Sequence, residues 1–141
     1  MNTRKVSVII ILIAVSSVVG WNRFLALASN GANKLAIIED FNGDHIAVEP
    51  TSDDIWNQLV ELYQSGEELW IGGQIEIFLT FIPDPNYPWG FRFEPDTITL
   101  AEVTAEGLQS TLTEISENLD YWLDIRYSYV FAKVIKIQNS N

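Results

Sequence analysis

The spacing of the apolar residues constrains the fold more than any other feature of this sequence. Across residues 70–82 apolar and polar residues alternate, as Ile75 and Ile77 illustrate, which is the period of a strand with one buried face. Across 52–65 and 111–123 apolar residues recur every three or four positions, which is typical of an amphipathic helix. Helices and strands do not alternate regularly, so we expect one α+β domain with a mainly antiparallel sheet of about four or five strands and two helices packed on it.

Turn and capping residues predict where these segments begin and end. Asn42-Gly43 indicates a hairpin between strands at 35–41 and 45–49, because this dipeptide tolerates the positive φ angles of a tight turn. Thr51 with Asp54, and Thr111 with Glu114, have the spacing of a capping box at the start of each helix. The other predicted strands are residues 89–94, 97–103 and 127–137, and Gly72-Gly73 is interpreted as a β-bulge.

Residues 1–28 have the three-part layout of a secretory signal peptide: a basic start, an apolar run over 6–21, and Ala26-Leu27-Ala28 as a cleavage site. An uncleaved membrane anchor is the alternative, because the run extends to Ala28 if Arg23 is tolerated near the interface. Arg23 interrupts the run, which favours cleavage. In either case we expect the folded part in the cell envelope or secreted.

The remaining chain divides into a flexible lead at 29–34 and one domain at 35–141, which is long enough for a core without disulfides. Removing residues 1–28 takes away three basic residues and no acid, so the net charge changes from −11 to −14. Such a charge repels phosphate backbones and anionic lipids, which disfavours nucleic-acid and membrane-surface binding. Membrane contact is expected only through the N-terminal segment, if it is retained.

The residue types in the chain exclude several chemistries. Cysteine is absent, so thiol catalysis and thiolate metal sites are excluded. His45 is the single histidine, and we interpret it as a strand or turn residue. No nucleophile elbow, phosphate-binding loop or dinucleotide fingerprint occurs. We therefore predict no catalytic residue and no cofactor.

The acidic residues around Asn42-Gly43 partly match the pattern of a calcium-binding loop. Asp40, Asn42 and Asp44 match its first, third and fifth positions. The glycine, however, falls at the fourth position instead of the sixth, and Thr51 stands at the twelfth, where a glutamate is needed. A hairpin turn explains these residues better, so no metal site is predicted.

The segment NYPWGFRFEPDTI, residues 86–98, is the best candidate for a binding surface. Exposed aromatic side chains in such a loop stack on a sugar ring or anchor a protein partner. The alternative is that they lock the loop onto the sheet and close the core. The candidate ligand-binding residues are Tyr87, Trp89, Arg92, Glu94 and Asp96.

This segment is also the densest part of a resemblance to a known family. The pattern is similar to that of small exported domains labelled calmodulin-binding-protein-like, and it covers residues 45–137. It comprises Gly73-x-Ile75, residues 86–98, Ala101-Glu102, residues 119–122 and residues 132–134. The resemblance implies a rigid turn that inserts Trp89, Phe91 and Phe93 in the core while Asp96 caps backbone donors.

This chain also departs from that family. Members tend to have histidine in place of Arg92, aspartate in place of Glu94, and a cysteine pair near Leu108 and Ser128. The missing cysteines imply that the second helix is tied to the last strand by packing alone. The family label says little about the ligand of an exported member.

Two functions of different classes follow from these patterns. The first is an exported, non-enzymatic, acidic binding module for a protein or glycan ligand, with a strand edge available for strand addition. The alternative is a small hydrolase that uses carboxylates alone, with Glu94, Asp96 and Glu102 on one face of an extended segment.

Calcium should not stabilise this protein beyond general screening, because the acidic turn lacks the glycine and glutamate positions of a calcium loop. The measurement is the melting temperature across micromolar to millimolar calcium, with magnesium at equal concentration as the control. A rise with calcium that magnesium does not reproduce would contradict the prediction.

Overall fold

The structure is a computed structural model that describes residues 34–79 and 89–139. The predicted signal segment, most of the predicted lead and Tyr87 lie outside the described residues. The strands are β1 (Lys34–Asp40), β2 (His45–Val48), β3 (Leu69–Ile77), β4 (Phe91–Phe93), β5 (Thr99–Ala101), β6 (Gln109–Ser110) and β7 (Tyr127–Asn139). The helices are α1 (Asp53–Ser65), α2 (Leu112–Glu117) and α3 (Leu119–Ile125). No helix within the described ranges is both long and apolar enough to cross a membrane.

The predicted α+β class is confirmed: a seven-stranded sheet carries helices, and its main path runs β2-β1-β7-β3-β4 with antiparallel neighbours throughout. The 13-residue strand β7 lies in the middle and pairs with β1, β3 and β6. The β6–β7 pair is parallel. β1 pairs with β7 as far as Asp40 opposite Ala132, and β6 continues along the same side with Ser110 opposite Val130.

One face of the sheet packs on the helices and holds the main core. Strand residues on this face alternate with residues on the other, so β7 buries Val130, Ala132 and Val134 toward the helices. The helices contribute Trp56, Leu59, Leu62, Leu112, Ile115 and Trp122 to the same core. Both helix tryptophans, Trp56 and Trp122, are thus buried in this core. We call the opposite side of the sheet the second face.

The hairpin predicted at Asn42-Gly43 is present, but its loop is longer than a two-residue turn. The Gly43 amide donates to the carbonyl of Asp40 at 2.9 Å, and only Gly43 in this loop has a positive φ, of 86°. This is a type I turn followed by a left-handed glycine, a common alternative to the two-residue hairpin. His45 begins β2, as predicted.

The capping residues of the two predicted helices behave differently. Thr111 and Glu114 form the predicted capping box, with both reciprocal hydrogen bonds present. At α1 the N-cap is Ser52, whose hydroxyl accepts the Ile55 amide at 3.3 Å, and not Thr51. The Thr51 hydroxyl instead donates to the Asp96 carboxylate at 2.7 Å.

The second helix is not continuous over 111–123, as predicted, but breaks at Asn118. Asn118 has φ −130° and ψ 43°, and its side-chain amide donates to the Glu114 carbonyl at 3.0 Å. An asparagine amide that bonds to a carbonyl one turn back competes with the helical backbone, so the helix ends at Glu117 and a separate helix, α3, begins at Leu119.

The predicted β-bulge at Gly72-Gly73 is wrong, because both glycines pair in regular register with β7. A Cβ on Gly72 would collide with the Ser128 carbonyl, and one on Gly73 would come within 2.8 Å of the Thr97 hydroxyl. The glycines therefore permit close backbone approach. The sheet's actual register shift lies in β1 between Ile37 and Ile38.

Two extended segments end earlier than predicted. β3 ends at Ile77, and Ile77 and Leu79 are exposed, because its three-residue partner β4 begins at Phe91, opposite Ile77. The strand predicted at 97–103 is shorter, β5 at Thr99–Ala101, because the 3-10 turn Pro95–Thr97 occupies its first position and pairing stops at Ala101. Thr97 holds this turn, since its hydroxyl donates to the Glu94 carbonyl and accepts the Gln74 amide, each at 2.8 Å.

The buried carboxylate of Asp40 connects the hairpin to the second helix. One oxygen accepts the amides of Asn42 at 2.9 Å and Asp44 at 3.0 Å, and the other accepts the amide of Leu112 at 2.9 Å. The residue is 4% exposed. An acid at the end of β1 thereby shapes the turn and fixes where α2 begins.

We expect Asp40→Asn to lower the free energy of unfolding by about 2–3 kcal/mol, because the amide side chain points an N–H group at one of three backbone donors. Urea denaturation of both proteins measures the difference. Asp54→Asn is the control, since Asp54 is exposed in the first turn of α1. Equal stability of the Asp40 variant and wild type would contradict the role assigned to this carboxylate.

Candidate functional site

Trp89, the central residue of the predicted binding loop, joins the two ends of the sheet. Its indole Nε1 donates to the main-chain carbonyl of His45 in β2 at 2.7 Å. Its own carbonyl accepts the Ser116 hydroxyl of α2 at 3.3 Å. The side chain is half-buried and packs against the main core. Trp89 therefore covers the outer edge of β2 where β4 approaches it.

Asp96 makes a second connection across the same gap. Its Oδ1 accepts the Thr51 hydroxyl at 2.7 Å, and the Thr51 amide donates to the Pro95 carbonyl at 3.4 Å. The expected capping of backbone donors by Asp96 is not seen; its partner is a side chain. Phe91 and Phe93 are buried in the core, as the rigid-turn interpretation requires. The described part of the segment thus closes the sheet.

Arg92 and Glu94, the other two described candidates, lie apart from Trp89. Arg92 points to the second face, where its Nε donates to Glu76 at 2.6 Å and its guanidinium carbon lies 4.7 Å from the centre of the Phe78 ring. Glu94 is half-buried before the 3-10 turn. The structure does not gather the candidates into one cluster, and their ligand-binding role stays a prediction.

The carboxylates proposed for a hydrolase do not lie along one continuous strand. Glu94 precedes the Pro95–Thr97 turn, Asp96 lies within it, and Glu102 follows β5. The alternation expected to place all three on one face is broken by this turn. Among the described residues, no group of three or more histidine or acidic side chains is arranged to hold a metal ion.

A depression that the sequence did not indicate lies where β1 ends and β6 takes its place beside β7. Its volume is about 340 Å³, and it is lined mainly by apolar surface. We call it the aromatic depression, after Phe41, Trp70 and Phe131. Trp70 and Phe131 face each other across the β3–β7 pair, with ring centres 5.2 Å apart. Phe41 is 78% exposed in the hairpin loop.

The polar groups that line the depression are mostly occupied by contacts within the protein. Both oxygens of Asp40 accept backbone amides, and the Gln109 side-chain amide donates to the Thr104 carbonyl at 3.1 Å. Ser110 shares a 2.5 Å hydrogen bond with buried Ser128. Glu114 is exposed, with one oxygen accepting the Thr111 amide at 2.8 Å. No lysine, arginine or histidine lines the depression among the described residues.

The Ser110–Ser128 bond also answers the question that the absent cysteines raised. The hydroxyl of Ser128 reaches the Leu108 carbonyl at 3.3 Å as well. The strand that leads into α2 is therefore tied to β7 by hydrogen bonds. The expectation that the second helix itself is tied to the last strand by packing alone stays a prediction.

Three basic side chains elsewhere on the second face, His45, Lys133 and Arg92, have acidic partners. Glu39 is contacted by His45 at 3.2 Å and by Lys133 at 3.4 Å. The hydrogen bond from His45, followed by the contacts with Lys133, holds the pKa of Glu39 below its usual value. Arg92 pairs with Glu76. Lys133 and Arg92 are therefore already paired with other acids and do not neutralise the carboxylates that line the aromatic depression.

No family model matches this chain, and no curated protein or solved structure matches it either. The resemblance to calmodulin-binding-protein-like domains therefore stays a prediction.

We expect Trp89→Ala to lower the free energy of unfolding by about 2–3 kcal/mol, because it removes packing and leaves the His45 carbonyl without its indole donor. Chemical denaturation followed by circular dichroism measures the loss. Val103→Ala, at a residue 81% exposed, is the control and should change stability by less than about 0.5 kcal/mol. A similar small change in both variants would show that Trp89 does not close the sheet.

Proposed function

We propose that this protein is an exported, non-enzymatic binding module whose ligand occupies the aromatic depression. The observation that carries the proposal is the exposure of Phe41 beside the Trp70–Phe131 pair, in a concave surface of about 340 Å³. Concave surfaces with aromatic linings and a few polar groups are typical of ligand sites. The extracytoplasmic location is proposed from residues 1–28.

Two apolar rings of the depression, Phe41 and Phe131, are partly exposed to water, which costs free energy. Burial of a phenylalanine side chain is worth about 1.5–3 kcal/mol relative to exposure. Phe41 is 78% exposed and Phe131 is 37% exposed, so much of that free energy is still available. A ligand that covers both rings gains it on binding, and aromatic anchors of this kind dominate the affinity of many interfaces.

The depression is also held in a defined shape before any ligand arrives. Trp70 and Phe131 lie on adjacent strands in regular register, and the Asp40 bonds fix the loop that carries Phe41. A surface formed in advance loses little conformational freedom on binding. These features favour recognition, and the carboxylate hydrolase gains no comparable support, since its proposed residues are separated by a turn.

The test compares what wild type and variants retain from an extract of the native cell envelope, using the full chain immobilised and quantitative mass spectrometry. We expect Phe41→Ser to retain at least about tenfold less of the partner than wild type. Val103→Ser is the matched control, because it changes an equally exposed apolar residue outside the depression and should retain the partner.

A third variant separates the two candidate surfaces. Arg92→Gln alters the predicted loop site and leaves the aromatic depression intact. Loss of the partner in Arg92→Gln with retention in Phe41→Ser would overturn the proposed site in favour of the loop. Equal retention of the partner by all variants would overturn both candidate sites, the aromatic depression and the loop.

A further inference from the structure

We infer that the aromatic depression recognises an arginine side chain presented by a basic segment of a protein partner. This inference rests on the proposed function and adds the chemical class of the ligand. It depends on three features of the described residues: the aromatic rings, the sign of the charge around them, and the internal hydrogen bonds that the polar lining groups already make.

The rings provide surfaces on which a planar cation stacks. Trp70, Phe131 and Phe41 line one depression, and a guanidinium group is attracted to the face of an aromatic ring by its quadrupole. Arginine is favoured over lysine because its flat, weakly hydrated head stacks while its stem covers apolar surface. A volume of about 340 Å³ lies at the small end of the range for ligand sites and suits a side chain better than a large cofactor.

The charge around the depression has one sign. Asp40 and Glu114 contribute carboxylates, no basic residue joins them among the described lining residues, and the whole chain carries −11. Glu114 is exposed on the side of α2, where it can meet a cation at the mouth of the depression. An anionic ligand would be repelled, whereas a basic segment would be attracted from a distance.

The occupied polar groups disfavour a neutral glycan. Sugar recognition needs free donors and acceptors for hydroxyl groups, but Asp40, Gln109 and Ser110 already have partners within the chain. A cation that stacks on rings needs fewer such groups, because its attraction comes from the rings and from the net negative charge.

The same face of the protein already contains one example of this chemistry. Arg92 lies 4.7 Å from the centre of the Phe78 ring and donates to Glu76 at 2.6 Å. An arginine stacked on an aromatic ring and paired with a glutamate is therefore a stable arrangement on this sheet. The aromatic depression has the rings and the glutamate, and no arginine joins them among the lining residues that the structure describes.

The test titrates the full chain with a tetra-arginine peptide by isothermal titration calorimetry at physiological salt. A tetra-citrulline peptide is the matched control ligand, because citrulline keeps the shape of arginine without its charge. We expect the citrulline peptide to bind at least about tenfold more weakly.

The variants localise the binding. Glu114→Gln removes the charge and keeps the capping box, since glutamine also serves at that position, and Phe41→Ala removes the most exposed ring. We expect each to weaken tetra-arginine binding at least about threefold. Glu117→Gln makes the same charge change on the same helix outside the depression, and Val103→Ala removes an exposed apolar group elsewhere; both should leave the affinity unchanged.

Several outcomes would overturn the inference. Equal weakening by Glu114→Gln and Glu117→Gln would show diffuse attraction to an acidic surface. Equal affinity for both peptides, or no binding of either, would show that the cation is not recognised. If chitotetraose binds and Phe41→Ala abolishes that binding, the proposed binding module stands and the arginine inference fails. If the Phe41→Ser variant keeps every envelope partner, the proposed function itself fails.

Discussion

The rest of the described structure depends on the hydrogen bonds that the buried Asp40 carboxylate accepts. A buried charge is costly unless its oxygens are bonded, and here three backbone amides from two different parts of the chain bind them. Two of these amides shape the loop between β1 and β2, and the third begins α2 seventy-two positions later in the sequence. A local turn and a distant helix are thus positioned by one side chain. Asp40 also lines the aromatic depression, so the residue that positions the turn and the helix belongs to the candidate site as well.

The two ends of the sheet illustrate a second constraint. An edge strand left uncovered invites pairing with other chains, and β2 is the strand at one end of the sheet's main path. Trp89 and Asp96 cover that edge from the opposite end of the sheet, through His45 and Thr51. The loop that looked like a binding surface therefore closes the fold in its described part, and strand addition at this edge would have to displace it. Along one side of β7, pairing passes from β1, which ends at Asp40, to β6, and the aromatic depression lies where β1 ends and β6 begins to pair.

Local features of the sequence predicted much of the fold. The helix at 52–65, the capping box at Thr111 and the hairpin at Asn42-Gly43 were found because each depends on neighbours within four positions. The break at Asn118 was missed because apolar spacing continues through it, and only the side-chain bond to Glu114 reveals the competition. The bulge predicted at Gly72 and Gly73 is wrong because these positions require glycine for a different reason. Ser128 and Thr97, which are remote in sequence, approach the two glycines too closely for a Cβ atom. The sequence predicted the loop residues as a candidate site, which stays a prediction, and did not indicate the aromatic depression.

The sequence by itself determined the α+β class, the approximate positions of helices and strands, and the acidic, cysteine-free character of the chain. These follow from local periodicity and composition, which need no knowledge of pairing. Only the tertiary structure decided that Trp70 lies opposite Phe131, that Asp40 reaches Leu112, and that Trp89 covers β2. The register of a sheet follows from the combined packing of both faces, because a shift by one residue would turn every side chain to the wrong side. The contacts that create the aromatic depression therefore appear only when the whole sheet is assembled.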